Sequence, residues 1–120
     1  MKVRCTRLLD STGKPQEKSA WLTIGVIYHV FELFQAQNTW LLRLVGDGPN
    51  GLAIFRLDQF EIVTPNIPNS WIITRDKDGS LHLRPERWSQ LGFLERYYDK
   101  DPEAIRIFEE ERRKIIEADP

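Results

Sequence analysis

The hydrophobic pattern of the chain changes its period once, close to Pro85. Before this point, apolar residues come in runs of strand length, rich in β-branched and aromatic side chains and separated by Gly, Asn and Asp. After it, they recur at the spacing of one helix face. The sequence therefore predicts a single domain over residues 1–120, mainly β over residues 1–83 and mainly helical over residues 84–120.

Short apolar runs with turn residues between them predict antiparallel strands. The expected fold class is α+β, with an antiparallel curled sheet or a small SH3-like barrel plus a hairpin, followed by C-terminal helices. A single helical turn over residues 57–60, between two strands, favours the barrel form. The predicted strands are residues 2–9, 26–34, 40–45, 52–56, 60–64, 71–75 and 80–83.

Two short helical segments are expected after Pro85, the first over residues 86–91 and ended by Gly92. The last helix begins with Asp101 as its N-cap and Pro102 at its first position. Its predicted buried stripe is Ala104, Ile105, Phe108 and Ile115, with Ile107 and Ile116 outside it. The residues expected to be buried are Tyr28, Val30, Leu42, Leu44, Phe55, Phe60, Ile62, Phe93, Ile105 and Phe108, whereas the polar loop 10–19 is expected to be exposed and mobile.

Residues able to carry catalysis or bind metals are few and scattered. Cys5 is the one cysteine, so no disulfide can form within the chain. His29 and His82 lack further ligands at the spacing of a zinc site. Asp76 and Asp78 are explained by the hairpin turn in which they lie. The chain contains no phosphate-binding loop or nucleophile motif, and we expect no enzyme activity, no metal and no cofactor.

The charge is nearly balanced, with 17 Lys and Arg against 18 Asp and Glu. The longest basic run, residues 112–114, directly follows three glutamates, and such residues pair along a helix. Nucleic acid is therefore not an expected partner. No apolar run reaches the length of a membrane span or of a signal peptide, which predicts a cytoplasmic protein that does not enter the membrane.

Several segments together resemble a family of small bacterial immunity proteins, which are the antidotes of polymorphic toxins and of contact-dependent growth inhibition systems. The resemblance covers about residues 20–115, and its more specific half is Trp-x3-Gly-Phe followed by Asp-Pro-Glu-Ala. It implies a cytoplasmic inhibitor that binds the C-terminal domain of one cognate toxin, often a nuclease, and covers its active site. The alternative is an SH3-like adaptor or regulatory module without a toxin partner. The segments that carry the resemblance are residues 22–30, 60–63, 85–88, 92–99 and 101–104.

Five residues are candidates for contact with such a partner. Trp40 begins a strand after a polar turn, and aromatic residues at loop edges often become interface anchors. Glu32, Asp47, Asp58 and Glu61 lie near predicted strand ends, where carboxylates could mimic phosphates and meet the basic cleft of a nuclease. The alternative for the tryptophan is core packing, and for each acid it is a solvated surface charge. The sequence leaves the oligomeric state open.

Overall fold

Eight strands form two antiparallel sheets in the computed structural model, which describes residues 1–49 and 51–120. One sheet has the order β2-β1-β6 and the other has the order β5-β4-β3-β8-β7. The predicted α+β class is confirmed, and the two curled sheets stay open instead of closing into a barrel. The strands are Lys2–Cys5 (β1), Ile27–His29 (β2), Glu32–Ala36 (β3), Thr39–Val45 (β4), Leu52–Arg56 (β5), Phe60–Thr64 (β6), Trp71–Arg75 (β7) and Leu81–Pro85 (β8).

The strand predicted over residues 26–34 is two strands, because the chain changes sheets in its middle. The amide of Val30 donates to the carbonyl of Met1, whereas the amide of Phe31 donates to the carbonyl of Arg43 in the other sheet. Val30 and Phe31 are both buried, although neighbouring residues of one strand point to opposite faces. Such a corner lets both side chains enter the core between the sheets.

The segment after β1 is fastened to the turn that precedes β6. The amides of Thr6 and Arg7 donate to the Gln59 carbonyl at 2.9 and 3.3 Å, and the Leu9 amide donates to Gln59 Oε1 at 2.9 Å. Gln59 is buried in the 3₁₀ turn Leu57–Gln59, so the predicted helical turn is confirmed. Because these amides bond to the turn instead of to a strand, β1 ends short of the predicted end at Leu9.

Residues 10–19 are mostly exposed, as expected. The carboxylate of Asp10 accepts hydrogen bonds from the Thr12 hydroxyl and from the amides of Thr12 and Lys14. These bonds, led by that of the Thr12 hydroxyl, lower the pKa of Asp10. The loop therefore has a local fold of its own, and its mobility stays a prediction.

Two α-helices follow the sheets, α1 (Phe93–Tyr98) and α2 (Pro102–Ala118). The predicted start of α2 is confirmed, since Asp101 accepts a hydrogen bond from the Ala104 amide at 3.1 Å. The helix predicted over residues 86–91 is only a 3₁₀ turn, and Gly92, with φ of 77°, precedes α1. No helix in the described part of the chain has both the length and the hydrophobicity to cross a membrane.

The buried face of α2 differs from the predicted stripe at two positions. Ile107 is buried and Ile105 is only half-buried, because the helix turns the face of Ala104 towards the sheets. Glu111 also belongs to this face and is 1% exposed, with Arg87 Nη1 at 3.6 Å and Lys114 Nζ at 3.5 Å from its Oε1. The buried residues of the helix are Ala104, Ile107, Phe108, Glu111 and Ile115.

Stacked aromatic rings fill the core between the sheets and the helices. Trp88 is 2% exposed, and its ring centroid lies 5.4 Å from that of Phe108, 5.9 Å from Phe93 and 6.2 Å from Phe31. The expectation for Ile62 is wrong, since this residue of an edge strand is 53% exposed. Of the other residues expected to be buried, Tyr28, Val30, Leu42, Leu44, Phe93 and Phe108 are buried, whereas Phe55, Phe60 and Ile105 are half-buried.

The end of α2 is tied to the three-stranded sheet through Asp119. The Asp119 carboxylate accepts a hydrogen bond from the Thr64 hydroxyl and lies 3.4 Å from the Met1 ammonium and 3.9 Å from Lys2 Nζ. His29 Nε2 lies 2.7 Å from the Asp119 carbonyl oxygen. Burial alone would raise the pKa of Asp119, but the Thr64 hydrogen bond and the two ammonium groups outweigh it, so the pKa is lowered.

We expect Asp119→Asn to lower the free energy of unfolding by about 1 kcal/mol at neutral pH, because the amide loses its charged partners. A lowered folded pKa stabilises the protein above the ordinary value of 3.8, and this contribution is lost as the pH falls through the folded value. The difference between wild type and variant should therefore shrink in urea titrations between about pH 6 and pH 2. The exposed Glu117→Gln is the control, and a difference independent of pH would contradict the assignment.

Candidate functional site

An open groove of about 570 Å³ lies where the start of β4 faces β6. Trp40 is 44% exposed in it and Ile62 is 53% exposed, so both present apolar surface to a partner. Arg56 and Asp58 form its charged rim. We call this surface the Trp40 groove, and its main lining residues are Trp40, Arg56, Leu57, Asp58, Phe60 and Ile62.

A tight hairpin turn places Trp40 at the groove. Gln37 and Asn38 both adopt positive φ, 52° and 62°, as the two-residue turn between β3 and β4 requires. Along β4, Trp40 points to the same face as Leu42 and Leu44, which are completely buried. Trp40 therefore extends the apolar inner face of the sheet beyond the core. At this position no residue of the described chain covers the Trp40 side chain fully.

Of the predicted contact acids, Asp58 lines the groove, whereas Glu61 lies on the opposite face of β6 from the groove residues Phe60 and Ile62; both acids are already paired. Asp58 accepts from Arg56 through two contacts, 3.1 Å from Nε and 2.8 Å from Nη2. The Arg56 hydrogen bonds are the main reason why the pKa of Asp58 is lowered. Glu61 lies 2.6 Å from Arg4 Nη1, with both side chains largely exposed. The rim therefore carries one neutralised ion pair, Arg56–Asp58, instead of a negative patch.

Asp47 lies away from the groove and holds the loop before β2. Its carboxylate accepts hydrogen bonds from the Thr23 hydroxyl at 2.6 Å and from the Tyr28 hydroxyl at 2.8 Å. Burial and then the nearby Asp47 carboxylate raise the pKa of Tyr28 to about 12. A reversal of charge at Asp47 would therefore disturb folding as well as any binding.

Glu32 is not available to a partner, because its side chain is completely buried. Its Oε1 pairs with Arg43 Nη1 at 2.5 Å, and its Oε2 lies 2.6 Å from His82 Nδ1 and 3.3 Å from Arg84 Nη1. These partners lie on β4 and β8, the two neighbours of β3. We call this set the Glu32 network. The expectation that Glu32 contacts a partner is corrected. This acid was expected near an exposed strand end, but it is buried on β3, the middle strand of the five-stranded sheet.

His82 raises the question of nucleophilic chemistry, because its ring lies between Ser80 and Glu32, as the histidine of a hydrolase triad lies between its serine and its acid. Ser80 Oγ lies 3.2 Å from His82 Nε2. However, Ser80 Oγ donates to Asp78 Oδ1 at 2.6 Å, and Asp76 Oδ2 lies 3.0 Å from the same Nε2. The Ser80 proton is thus directed at Asp78 and not at His82, and Asp76 competes with Ser80 for Nε2. The arrangement thus fastens the hairpin turn to the sheet.

Metal binding and thiol reactivity depend on how the His, Cys, Asp and Glu residues are grouped and buried. No group of three or more His, Cys, Asp or Glu residues is placed to hold a metal ion within residues 1–49 and 51–120. Cys5 is a free thiol, and burial raises its pKa. A raised pKa disfavours the reactive thiolate.

No protein-family model, no curated protein and no solved structure matches this chain.

Two of the residues proposed from the sequence, Trp40 and Asp58, line the groove together with Ile62 and Arg56, which the sequence did not suggest. Ile62 was expected in the core because it is aliphatic and lies in a strand. Its exposure follows from the position of β6 at the edge of the three-stranded sheet. Such a position depends on which strands pair over long distances, and no local signal in the sequence reports it.

We expect Glu32→Gln to lower the free energy of unfolding by about 3 kcal/mol or more, because it leaves the buried arginines without a full counter-charge. Glu61→Gln, which breaks an exposed pair, should cost less than about 1 kcal/mol. Urea unfolding of both variants at neutral pH measures the difference. Equal effects of the two substitutions would show that the Glu32 network does not hold the sheet.

Proposed function

We propose that this chain is an immunity protein, which binds the C-terminal domain of a cognate toxin and blocks its active site in the cytoplasm. The class of partner comes from the resemblance of residues 20–115 to small immunity proteins. The Trp40 groove is the proposed contact surface. Inhibition acts by occupancy, so one molecule of this chain neutralises one toxin domain.

The observation that carries the proposal is the exposed apolar pair of Trp40 and Ile62 beside a charged rim. Protein interfaces have this anatomy, with an apolar centre surrounded by polar residues. Tryptophan and arginine are enriched among the residues that dominate binding energy, and Arg56 lines the same groove as Trp40. The groove thus offers an aromatic anchor and a hydrogen-bonding arginine within one surface.

The charge pattern changes the expected mode of binding. The sequence predicted that free acids mimic phosphates, but Asp58 and Glu61 are each paired with an arginine. A partner that presents only positive charge to the groove would compete with Arg56 for Asp58. The rim instead fits a partner with both signs of charge, whose acid faces Arg56 and whose base faces Asp58. The apolar residues therefore contribute most of the affinity, and the charged rim fixes the position and orientation of the partner.

A module without a toxin partner was the alternative, and it was based on an SH3-like barrel. Since the two sheets are not closed into a barrel, the alternative loses that basis. The two functions differ in the protein that this chain binds: an immunity protein binds the toxin domain encoded beside its own gene.

We expect Trp40→Ala to weaken binding of that neighbouring toxin domain about thirtyfold, or about 2 kcal/mol, because truncation removes the anchor of the interface. The fold should be kept, since Trp40 lies beyond the core. The matched control is Leu91→Ala, at a fully exposed position outside the groove, which should bind like wild type. Isothermal titration calorimetry measures both affinities, and circular dichroism checks the fold.

The interface should bury about 1,200–2,000 Å² in total, as specific complexes do. Equal binding by wild type and Trp40→Ala would place the interface elsewhere. A wild-type chain that binds no neighbouring toxin domain would overturn the immunity function itself.

A further inference from the structure

The strand β5 forms one edge of the five-stranded sheet. The hydrogen bonds at Leu52 show which of its backbone N–H and C=O groups point away from the sheet. At Leu52, the carbonyl accepts a hydrogen bond from the Tyr98 hydroxyl at 2.8 Å. The Leu52 amide donates to the Tyr97 hydroxyl at 3.5 Å. Both tyrosines belong to α1, so these two backbone groups point away from β4. The helix thus covers the first residue of this edge.

The backbone of an antiparallel strand alternates, so residues two apart point the same way. Ile54 therefore also directs its N–H and C=O away from β4, whereas Ala53 and Phe55 bond to Leu44 and Leu42. Ile54 is 49% exposed and has β4 as the one strand beside it. Its outward donor and acceptor have no strand partner in the described chain.

A groove of about 610 Å³ runs along this free edge. Its far wall is the segment between β1 and β2, which contributes Leu9, Ser19 and Trp21. The rings of Trp21 and Phe55 meet edge to face, with centroids 6.3 Å apart, and make an apolar wall beside the outward backbone of Ile54. The groove thus combines unpaired main-chain groups with a place for an apolar side chain.

We propose that this edge accepts an extended segment of a partner protein as an added strand. The segment pairs its main chain with the N–H and C=O of Ile54 and places an apolar side chain against Trp21 and Phe55. A helix cannot do this, because its own backbone groups are already bonded to one another. Strand addition, in contrast, offers a donor and an acceptor at the spacing that an edge presents.

The walls of the groove also decide between a partner segment and a second copy of this chain. The segment around Trp21 lines the groove opposite the open side of β5, so an added strand has to lie between the two. A second copy would bring the same segment along its own β5, and the two segments would collide. The proposed site does not depend on the partner being a toxin. It shares Arg56 with the Trp40 groove, so the two surfaces adjoin.

Proline scanning tests the direction of the backbone groups. Ile54→Pro removes an outward N–H and should keep the fold, because proline is tolerated at strand edges. Ile73→Pro is the matched control on β7, the opposite edge of the same sheet. There the outward amide of Trp71 donates to Pro68, so Ile73, two residues on, also points outward. Phe55→Pro removes a bond to β4 and should lower the unfolding midpoint most.

Binding is tested with a phage library of random peptides about twelve residues long, a length that covers extended recognition motifs. We expect selected peptides to slow hydrogen exchange of the Ile54 amide in the complex about tenfold or more. Ile54→Pro should weaken their binding about tenfold or more, whereas Ile73→Pro should change it less than about twofold.

Several results would overturn the proposal. The library could yield no binding peptide, or peptides whose affinity Ile54→Pro leaves unchanged. Protection could fall on β7 instead of β5. Light scattering could show a dimer that Ile54→Pro dissociates, which would make a second copy the occupant. None of these results bears on toxin binding through Trp40, since that function is tested with the toxin domain and different variants.

Discussion

The five-stranded sheet depends on one completely buried carboxylate, that of Glu32. A buried charge is tolerated only when it is paired and hydrogen-bonded, so Glu32 needs cations from both neighbouring strands. The cations are Arg43 from β4 and Arg84 from β8, and His82 on β8 adds a hydrogen-bond contact. The network therefore fixes β3 at the centre of the sheet, and β5 and β7 are left as its edges.

The corner at Val30 and Phe31 divides the strands between the two sheets. Two consecutive buried residues break the alternation of a strand and move the chain from one sheet to the other. The first sheet then ends at β6 and the second at β5, without a strand to join them. Trp40 and Ile62 line one groove, which brings the start of β4 in the second sheet beside β6, the edge of the first.

Turn residues, short apolar runs and a helix cap predicted many of the strands and the last helix from the sequence. The strands Leu52–Arg56 and Phe60–Thr64 lie where turn residues bound short apolar runs, and Asp101 caps the helix that it was expected to cap. Burial could not be read in the same way. Glu32 and His82 are 50 positions apart, and only the pairing of β3 with β8 brings them together. The edge position of β6, which leaves Ile62 exposed, likewise depends on the pairing of distant strands. Of the groove residues, the sequence therefore suggested Trp40 and Asp58 but not Ile62 and Arg56.

The two proposed contact surfaces would recognise a partner in different ways. Main-chain pairing along β5 tolerates many sequences, because every residue of an extended segment offers the same N–H and C=O. The Trp40 groove instead selects for shape and for the sign of charge that meets Arg56 or Asp58. Arg56 lines both surfaces, so the two surfaces adjoin. A partner that used both surfaces would gain affinity from main-chain pairing with β5, whatever its sequence. Its specificity would come from the side chains that it places around Trp40.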